Sequence, residues 1–338
     1  MPDPAALWTQ LGPWSPAAAM ALLLLSSLLI VWRLEHLQKG GFEGTVIGTL
    51  VTPFCSGLGN LLFVWLVIRD GAGREAVVVN CLVNNATNLT LLLGLPALIW
   101  GLSLSAPPGK AARKAAKAQK KKEQQRQLSR LSLLLTLTAG AVFALGSWAL
   151  GQDQRLDWGD GLMLVLLFAF WQVFHVFEVL KTNVRSNRSL PGLLWLDLVL
   201  LGVGAYGLYL SLEHVVAVLA ARGEGFFSRE HLGWITGWIM VLPNALLAFW
   251  YAARRQADVV YSSQIGDGHI CIPLCLGLAA LGQPLELDGT FQEGLFLLMA
   301  ALALHALCLL VLKGLPRWAG LLLVAAYGAF LWRGLSAG

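Results

Sequence analysis

At 338 residues, 57% hydrophobic and 13% charged, with a mean hydropathy of +0.67, the chain is too apolar to be a soluble globule. Apolar runs of roughly 18 residues or more recur from end to end, which excludes a barrel of alternating strands and points to a polytopic α-helical membrane protein. The formal charge of +5 is gathered in Lys110 to Arg130, where nine Lys or Arg stand against the single acid Glu123; the segment lacks the aromatic platforms that nucleic-acid bases stack on.

Ten spans are expected, at about 16–36, 42–68, 75–102, 131–151, 159–181, 190–221, 231–253, 258–281, 290–312 and 316–334. The segment Met1 to Pro16 has no basic n-region, so no cleavable signal peptide is expected and Ala17 to Trp32 reads as a span. The basic stretch lies in an Ala/Gln-rich, helix-favouring context and reads as a cytoplasmic loop at 106–130 that attracts anionic lipid headgroups. All five cysteines lie in apolar segments without zinc-like spacing and read as packing residues. Trp and Phe collect near span ends, as an interfacial belt requires.

Orientation follows from the basic residues. With the N-terminus outside, inner loops carry 18 Lys or Arg and outer loops 6, and acids such as Asp153, Asp157, Asp160, Glu286 and Asp288 collect outside. The expectation is both termini outside, in a bacterial inner (plasma) membrane.

Four asparagines fall within nine residues of the third span: Asn80, Asn84, Asn85 and Asn88. A lipid-facing amide has no water to satisfy it, and residues four apart share a helix face, so Asn80, Asn84 and Asn88 form a buried polar stripe. The stripe reads as a polar pathway or ion site, with interhelical hydrogen-bond glue as the plainer alternative. In the eighth span, Gly266-Asp267-Gly268-His269 places a carboxylate near mid-membrane between glycines that permit close backbone approach. Asp267 is the strongest single candidate, either as an ion ligand or as a protonated acid bonded to a neighbouring helix, with His269 a secondary relay. Glu43 reads as a cap or snorkelling group, Asp197 as shallow, and His305 as a packed histidine. His175 and Glu178 make only half of a metal motif, so no dedicated structural or catalytic metal site is expected.

The polar stretches recur. Leu58-Gly59-Asn60 resembles Leu242-Pro243-Asn244 at an offset of 184, Asn84 lies 183 residues before Asp267, and Leu91-Leu92-Leu93-Gly94-Leu95 resembles Leu274-Cys275-Leu276-Gly277-Leu278 at an offset of 183. That offset equals five spans, an odd number, so the halves 1–181 and 182–338 are expected to insert in opposite senses. Inverted repeats of this kind place a transporter's site at mid-membrane, in the interrupted spans 2, 3, 7 and 8.

Ser56-Gly57-Leu58-Gly59-Asn60 with Asn80-Cys81-Leu82-Val83-Asn84-Asn85-Ala86-Thr87-Asn88, and their counterparts Met240 to Asn244 and Ser263 to Cys271, resemble the paired motifs of the sodium/calcium exchanger superfamily. In that family each repeat has a motif of the type G-T-S-L-P-E, followed by G-N-x-x-G-S-N-x-x-N and an apolar run. The resemblance implies an all-α integral membrane protein of about ten transmembrane helices in two inverted five-helix repeats. It implies ion-binding positions at Asn60, Asn84, Asn88, Asn244, Ser263 and Asp267, with Ser56, Asn80, Asn85, Gln264, His269 and Cys271 in second rank. The family's ligating glutamates fall on Asn60 and Asn244 here. A calcium site wants six to eight oxygens and usually several carboxylates, whereas one carboxylate among neutral oxygens suits a monovalent ion or a proton. The expected function is a secondary-active, antiporter-like cation transporter working by alternating access and coupled to sodium or protons, with calcium disfavoured by the few carboxylates, and without a resident cofactor. The alternative is a non-transporting scaffold or interaction subunit derived from the exchanger fold. No complete enzyme motif is present.

Overall fold

The computed structural model describes residues 4–39, 53–71, 73–104, 116–183 and 194–336. In chain order its helices are α1 (Pro4–Leu11), α2 (Ser15–Lys39), α3 (Leu58–Asp70), α4 (Glu75–Ala86), α5 (Leu92–Trp100), α6 (Ala116–Leu150), α7 (Trp158–Asn183), α8 (Leu194–Ala220), α9 (Leu232–Ala253), α10 (Ala257–His269), α11 (Leu276–Gly282), α12 (Gly289–Val311) and α13 (Arg317–Ser336). Two π-helical segments, π1 (Thr87–Leu91) and π2 (Ile270–Cys275), interrupt the runs α4–α5 and α10–α11. Four two-residue strands complete the set: β1 (Leu102–Ser103), β2 (Arg155–Leu156), β3 (Leu285–Glu286) and β4 (Gly314–Leu315).

Among the described residues nine helical runs are long and apolar enough to cross a membrane, from Trp8–Leu37 to Arg317–Ser336, and they correspond to nine of the ten expected spans. The remaining one, expected at 42–68, is described only from Pro53 onward; Glu43 and the start of the basic stretch lie outside the described residues. Trp14 and Trp32 flank the apolar part of α2, and Trp318 and Trp332 that of α13, all with exposed rings suited to the headgroup level. The chain is an all-helical integral membrane protein.

The contacts fall into two compact units, each drawn from both halves of the sequence. The first holds Met1–Cys81, Gln154–Pro243 and Ile270–Leu287. Within it α2 runs along α8, where glycines bring the backbones together: a Cβ at Gly204 would lie 2.7 Å from Ile30 Cγ1, and Ser26 sits against Gly207. Helix α7 packs on α11 through Gly161 and Gly277, where a Cβ on either would come within 2.8 Å of the other's carbonyl oxygen. Strand β2 pairs antiparallel with β3, Leu156 opposite Leu285.

The second unit holds Leu82–Asp153, Asn244–His269 and Asp288–Gly338. Here α5 packs on α13 through Gly94 and Gly320, with Cβ atoms built there 3.0 and 2.6 Å from the facing carbonyl oxygens. Strand β1 pairs antiparallel with β4, Leu102 opposite Leu315. Gly101, at φ +69, ends α5 and lets the chain turn into β1. Close packing over small residues supplies the dispersion contacts that hold helices together where lipid removes the hydrophobic driving force. The same devices thus recur in both units: π1 and π2 begin 183 residues apart, as do β1 and β3, and Gly94 and Gly277.

Candidate functional site

The polar positions divide between the units. The first unit carries Ser56, Asn60, Asn80 and Cys271; the second carries Asn84, Asn85, Asn88, Asn244, Ser263, Gln264, Asp267 and His269. Asn60, Asn80, Asn84, Asn85, Asn88 and Gln264 are all buried, at 5% exposure or less, while Asn244 and Ser263 are half-buried and Ser56 is exposed with its hydroxyl donating to the Pro53 carbonyl at 2.9 Å. Asp267 lies in α10, and its side chain falls outside the described residues.

Threonines shape π1. Thr87 Oγ1 donates back to the Val83 carbonyl at 2.6 Å, and Thr90 Oγ1 donates to that of Ala86, so both hydroxyls occupy backbone acceptors in the preceding turn. With its own proton committed, Thr87 Oγ1 accepts from Tyr327 Oη on α13 at 2.8 Å. A π turn widens the helix by one residue and redirects its carbonyls, which is why such turns recur at functional sites. From within it, Asn88 Nδ2 donates back to Asn84 Oδ1 at 3.0 Å, one turn earlier.

The hydrogen-bond network fixes which way the amides point. In the first unit Thr236 Oγ1 gives its proton to the Leu232 carbonyl, so it can only accept from Asn80, whose Nδ2 lies 3.0 Å away; Met240 Sδ lies 3.8 Å from the same nitrogen. In the second unit Gln264 Nε2 faces the Asn244 carbonyl at 3.4 Å and Ser263 Oγ at 3.0 Å, and Ser263 has already donated to the Val260 carbonyl at 3.1 Å. The nitrogen ends are therefore held by protein acceptors. Among the described residues the oxygen ends of Asn80, Asn88 and Gln264 are buried and accept no hydrogen bond. A buried acceptor left without a donor costs about 1–3 kcal/mol, and in the second unit Asn88 and Gln264 each present such an oxygen, a hard, neutral group of the kind that ligates a cation.

Glycine at 268 serves close approach: a Cβ there would stand 2.7 Å from Asn85 Oδ1, so the Asn85 amide occupies space any larger residue would need. His269 donates from Nε2 to the Thr136 carbonyl at 3.0 Å and presents its ring to the edge of Phe143, which anchors α10 to α6. His305 is fully buried, with Nε2 on the Leu89 carbonyl at 2.7 Å and Nδ1 3.4 Å from Tyr261 Oη; it ties α12 to π1.

In the first unit π2 is lined with sulfur where π1 carries amide and hydroxyl. Cys81, Cys271 and Cys275 are buried, and the Cys81 thiol makes hydrogen-bonding contact with the other two. Among the described residues no group of three His, Cys, Asp or Glu is placed to hold a metal ion.

Sequence reasoning missed two features. Asp197, expected at a shallow depth and lying in the first turn of α8, is 1% exposed, ion-paired to Arg33 Nη1 at 3.2 Å and hydrogen-bonded with His36 Nδ1 at 3.1 Å; the partners lie more than 160 residues away on α2, so only tertiary structure reveals these contacts. The threonines Thr87, Thr90 and Thr236 hold the amides and the π turn in place; Thr87 and Thr90 stood inside the asparagine stretch as the available signal.

Known proteins of similar sequence and fold are consistent with this architecture. The family described as sodium/calcium exchanger protein matches residues 12–177 and 196–334. Inner membrane protein YrbG of Escherichia coli (strain K12) is 23% identical over 290 residues, covering 80% of this chain and 82% of that protein. The sodium-calcium exchanger NCX_Mj soaked with 10 mM Na+ and 10 mM Sr2+ has the same fold at a TM-score of 0.58 and 20% identity, over 91% of this chain and 93% of that one. The same exchanger soaked with 2.5 mM Na+ and 1 mM Sr2+ gives a TM-score of 0.59 at 20% identity over 97% of both chains. With the family matched over most of its length, the chain belongs to the sodium/calcium exchanger family.

Proposed function

We propose that this member of the family is a secondary-active cation antiporter that works by alternating access and is coupled to sodium or protons. The observation that carries the reading is the pair of buried amide oxygens on Asn88 and Gln264 in the second unit, whose nitrogen ends are committed to protein acceptors while the oxygens accept nothing among the described residues. A neutral oxygen on π1 and another on α10 fit the way transporters coordinate sodium, through side-chain oxygens and unwound carbonyls near mid-membrane. By the family resemblance the ion-binding positions are Asn60, Asn84, Asn88, Asn244, Ser263 and Asp267, with the carboxylate supplying the single charge. Calcium is disfavoured because Asn60 and Asn244 stand where the resemblance puts glutamates, and a divalent ion stripped of water needs that charge returned.

The two matched stretches, 12–177 and 196–334, and the devices recurring at an offset of 183 residues support two repeats; their inverted insertion and the outer placement of both termini rest on the charge distribution. The relative's name supports a bacterial inner membrane.

Purified protein in liposomes with imposed sodium, proton or calcium gradients tests the reading. Counter-transport under a sodium or proton gradient is expected, and Asp267→Asn should abolish coupling while leaving a folded protein. Absence of flux under all three gradients overturns transport, and unchanged coupling in Asp267→Asn overturns the assignment of the carboxylate.

A further inference from the structure

A cavity of about 420 Å³ opens in the first unit, remote in sequence from the proposed ion ligands. Three helix ends meet around it: α2 begins at Ser15, α8 ends at Ala220, and α9 begins at Leu232. Those ends share one face of the membrane, so the cavity runs from the headgroup level into the acyl region. Its inner part is aliphatic, lined by Met20, Leu219 and Ile239, and its outer wall is aromatic, with the Phe226 and Trp238 rings stacked at 6.0 Å and 19°. Its size falls within the roughly 300–1,000 Å³ of small-molecule sites, and a mostly apolar lining with one placed polar group is what such sites have.

That polar group is Arg222. It is the charged residue lining the cavity, it is exposed at the mouth, and among the described residues no carboxylate pairs with it. Glu224 and Glu230 lie on the same loop without lining the cavity. The Arg229 amide donates to the Arg222 carbonyl at 3.2 Å, which closes this loop beside the cavity and fixes where the Arg222 backbone sits. A guanidinium forks onto phosphate oxygens, while a greasy slot below it takes a hydrocarbon chain.

We propose that this cavity is a binding site for one anionic phospholipid, its acyl chain between α2, α8 and α9 and its phosphate on Arg222. The aliphatic depth fits a chain that lipid solvent supplies everywhere, and the unpaired arginine supplies the selection for an anionic head. None of the residues lining the cavity comes from the basic stretch at 110–130.

Native mass spectrometry of the full chain, released from nanodiscs of mixed phosphatidylglycerol and phosphatidylcholine with identical acyl chains, tests the assignment. One phosphatidylglycerol should be retained several-fold over phosphatidylcholine. Arg222→Gln should bring the two to parity, Arg229→Gln should leave the preference intact, and Ala17→Trp, which fills the cavity from an exposed position, should reduce retention of both lipids. Thermal melting of each variant confirms folding; should Ala17→Trp not fold, Leu242→Trp, at another exposed lining position, takes its place. Equal retention of the two lipids by the unaltered protein, an undiminished preference in Arg222→Gln, or full retention in the filled variant overturns the proposal.

Discussion

The two π segments carry the same backbone device and opposite chemistry. In π1 the buried polar functions are Thr87, Asn88 and Thr90, tied by hydroxyl-to-carbonyl bonds and an amide pair. In π2 the corresponding run is Ile270, Cys271 and Pro273, with thiols as its polarisable groups and a proline that removes one backbone donor. Oxygen ligands suit hard cations such as sodium, and thiols do not. A shared backbone and divergent side chains indicate that packing is what the two segments have in common, while amide and hydroxyl groups are gathered in the second unit, in π1 and the helix α10 that packs beside it.

The largest expected effect separates the segments directly. Asn88→Leu removes a buried oxygen and leaves Asn84 without its amide donor, whereas Cys271→Ala removes only a thiol. A hydrogen bond or ligand contact to a charged group is worth about 1.5–3 kcal/mol, so Asn88→Leu should weaken apparent cation affinity about tenfold or more. Cys271→Ala should change it less than about threefold, a range below 1 kcal/mol. Cation titrations of flux in liposomes read both. Equal losses in the two variants would mean that π2 shares the ion chemistry, and the contrast would collapse.

Next in size are the glycine contacts, where the two units should behave alike. Gly320→Ala would drive a Cβ to 2.6 Å from the Gly94 carbonyl oxygen, and Gly161→Ala would bring one to 2.8 Å from that of Gly277. Backbone faces backbone in both cases, so no side chain can swing aside. Each substitution should cost about 1–3 kcal/mol by overpacking and lower the melting temperature in detergent by similar amounts. A fall confined to one variant would show that the α5–α13 and α7–α11 contacts are not equivalent.

Much of this architecture was legible in the residues, because bilayer thickness forces long apolar runs and an amide inside one of them is conspicuous. The asparagine stripe, the 183-residue recurrence and the exchanger-like motifs led to the family. The π turns were not legible. A period of 3.6 residues places Asn80, Asn84 and Asn88 on one stripe, yet in the structure Asn80 bonds to Thr236 while Asn84 and Asn88 bond to each other. The extra residue in the turn depends on threonine back-bonds and on Tyr327, which is 240 positions from Thr87. The Asp197 pair with Arg33 and His36 was hidden for the same reason, since a burial partner supplied by a distant helix leaves no local pattern.

The smallest effect concerns how the two gripping helices start. Helix α7 begins with a reciprocal capping box: Asp157 Oδ1 accepts from the amides of Gly159 at 2.7 Å and Asp160 at 3.1 Å, and Asp160 Oδ2 accepts from the Asp157 amide at 2.9 Å. Helix α13 starts instead on a backbone bond, the Gly320 amide donating to the Pro316 carbonyl at 3.1 Å, with Arg317 donating to the Ile99 carbonyl at 3.3 Å. Only the first start titrates. The amides of Asp160 and Gly159 hold the Asp157 carboxyl below the usual aspartate range. A lowered folded value contributes stability that is present above the unfolded value of about 3.9 and is lost as pH falls through the folded one. Asp157→Ala should therefore give a small drop in melting temperature at neutral pH that shrinks to nothing once the solution is acid enough to protonate the native carboxyl. A drop of the same size at every pH would mean that the side chain acts through packing alone, and the acid sensitivity assigned to the start of α7 would have no basis.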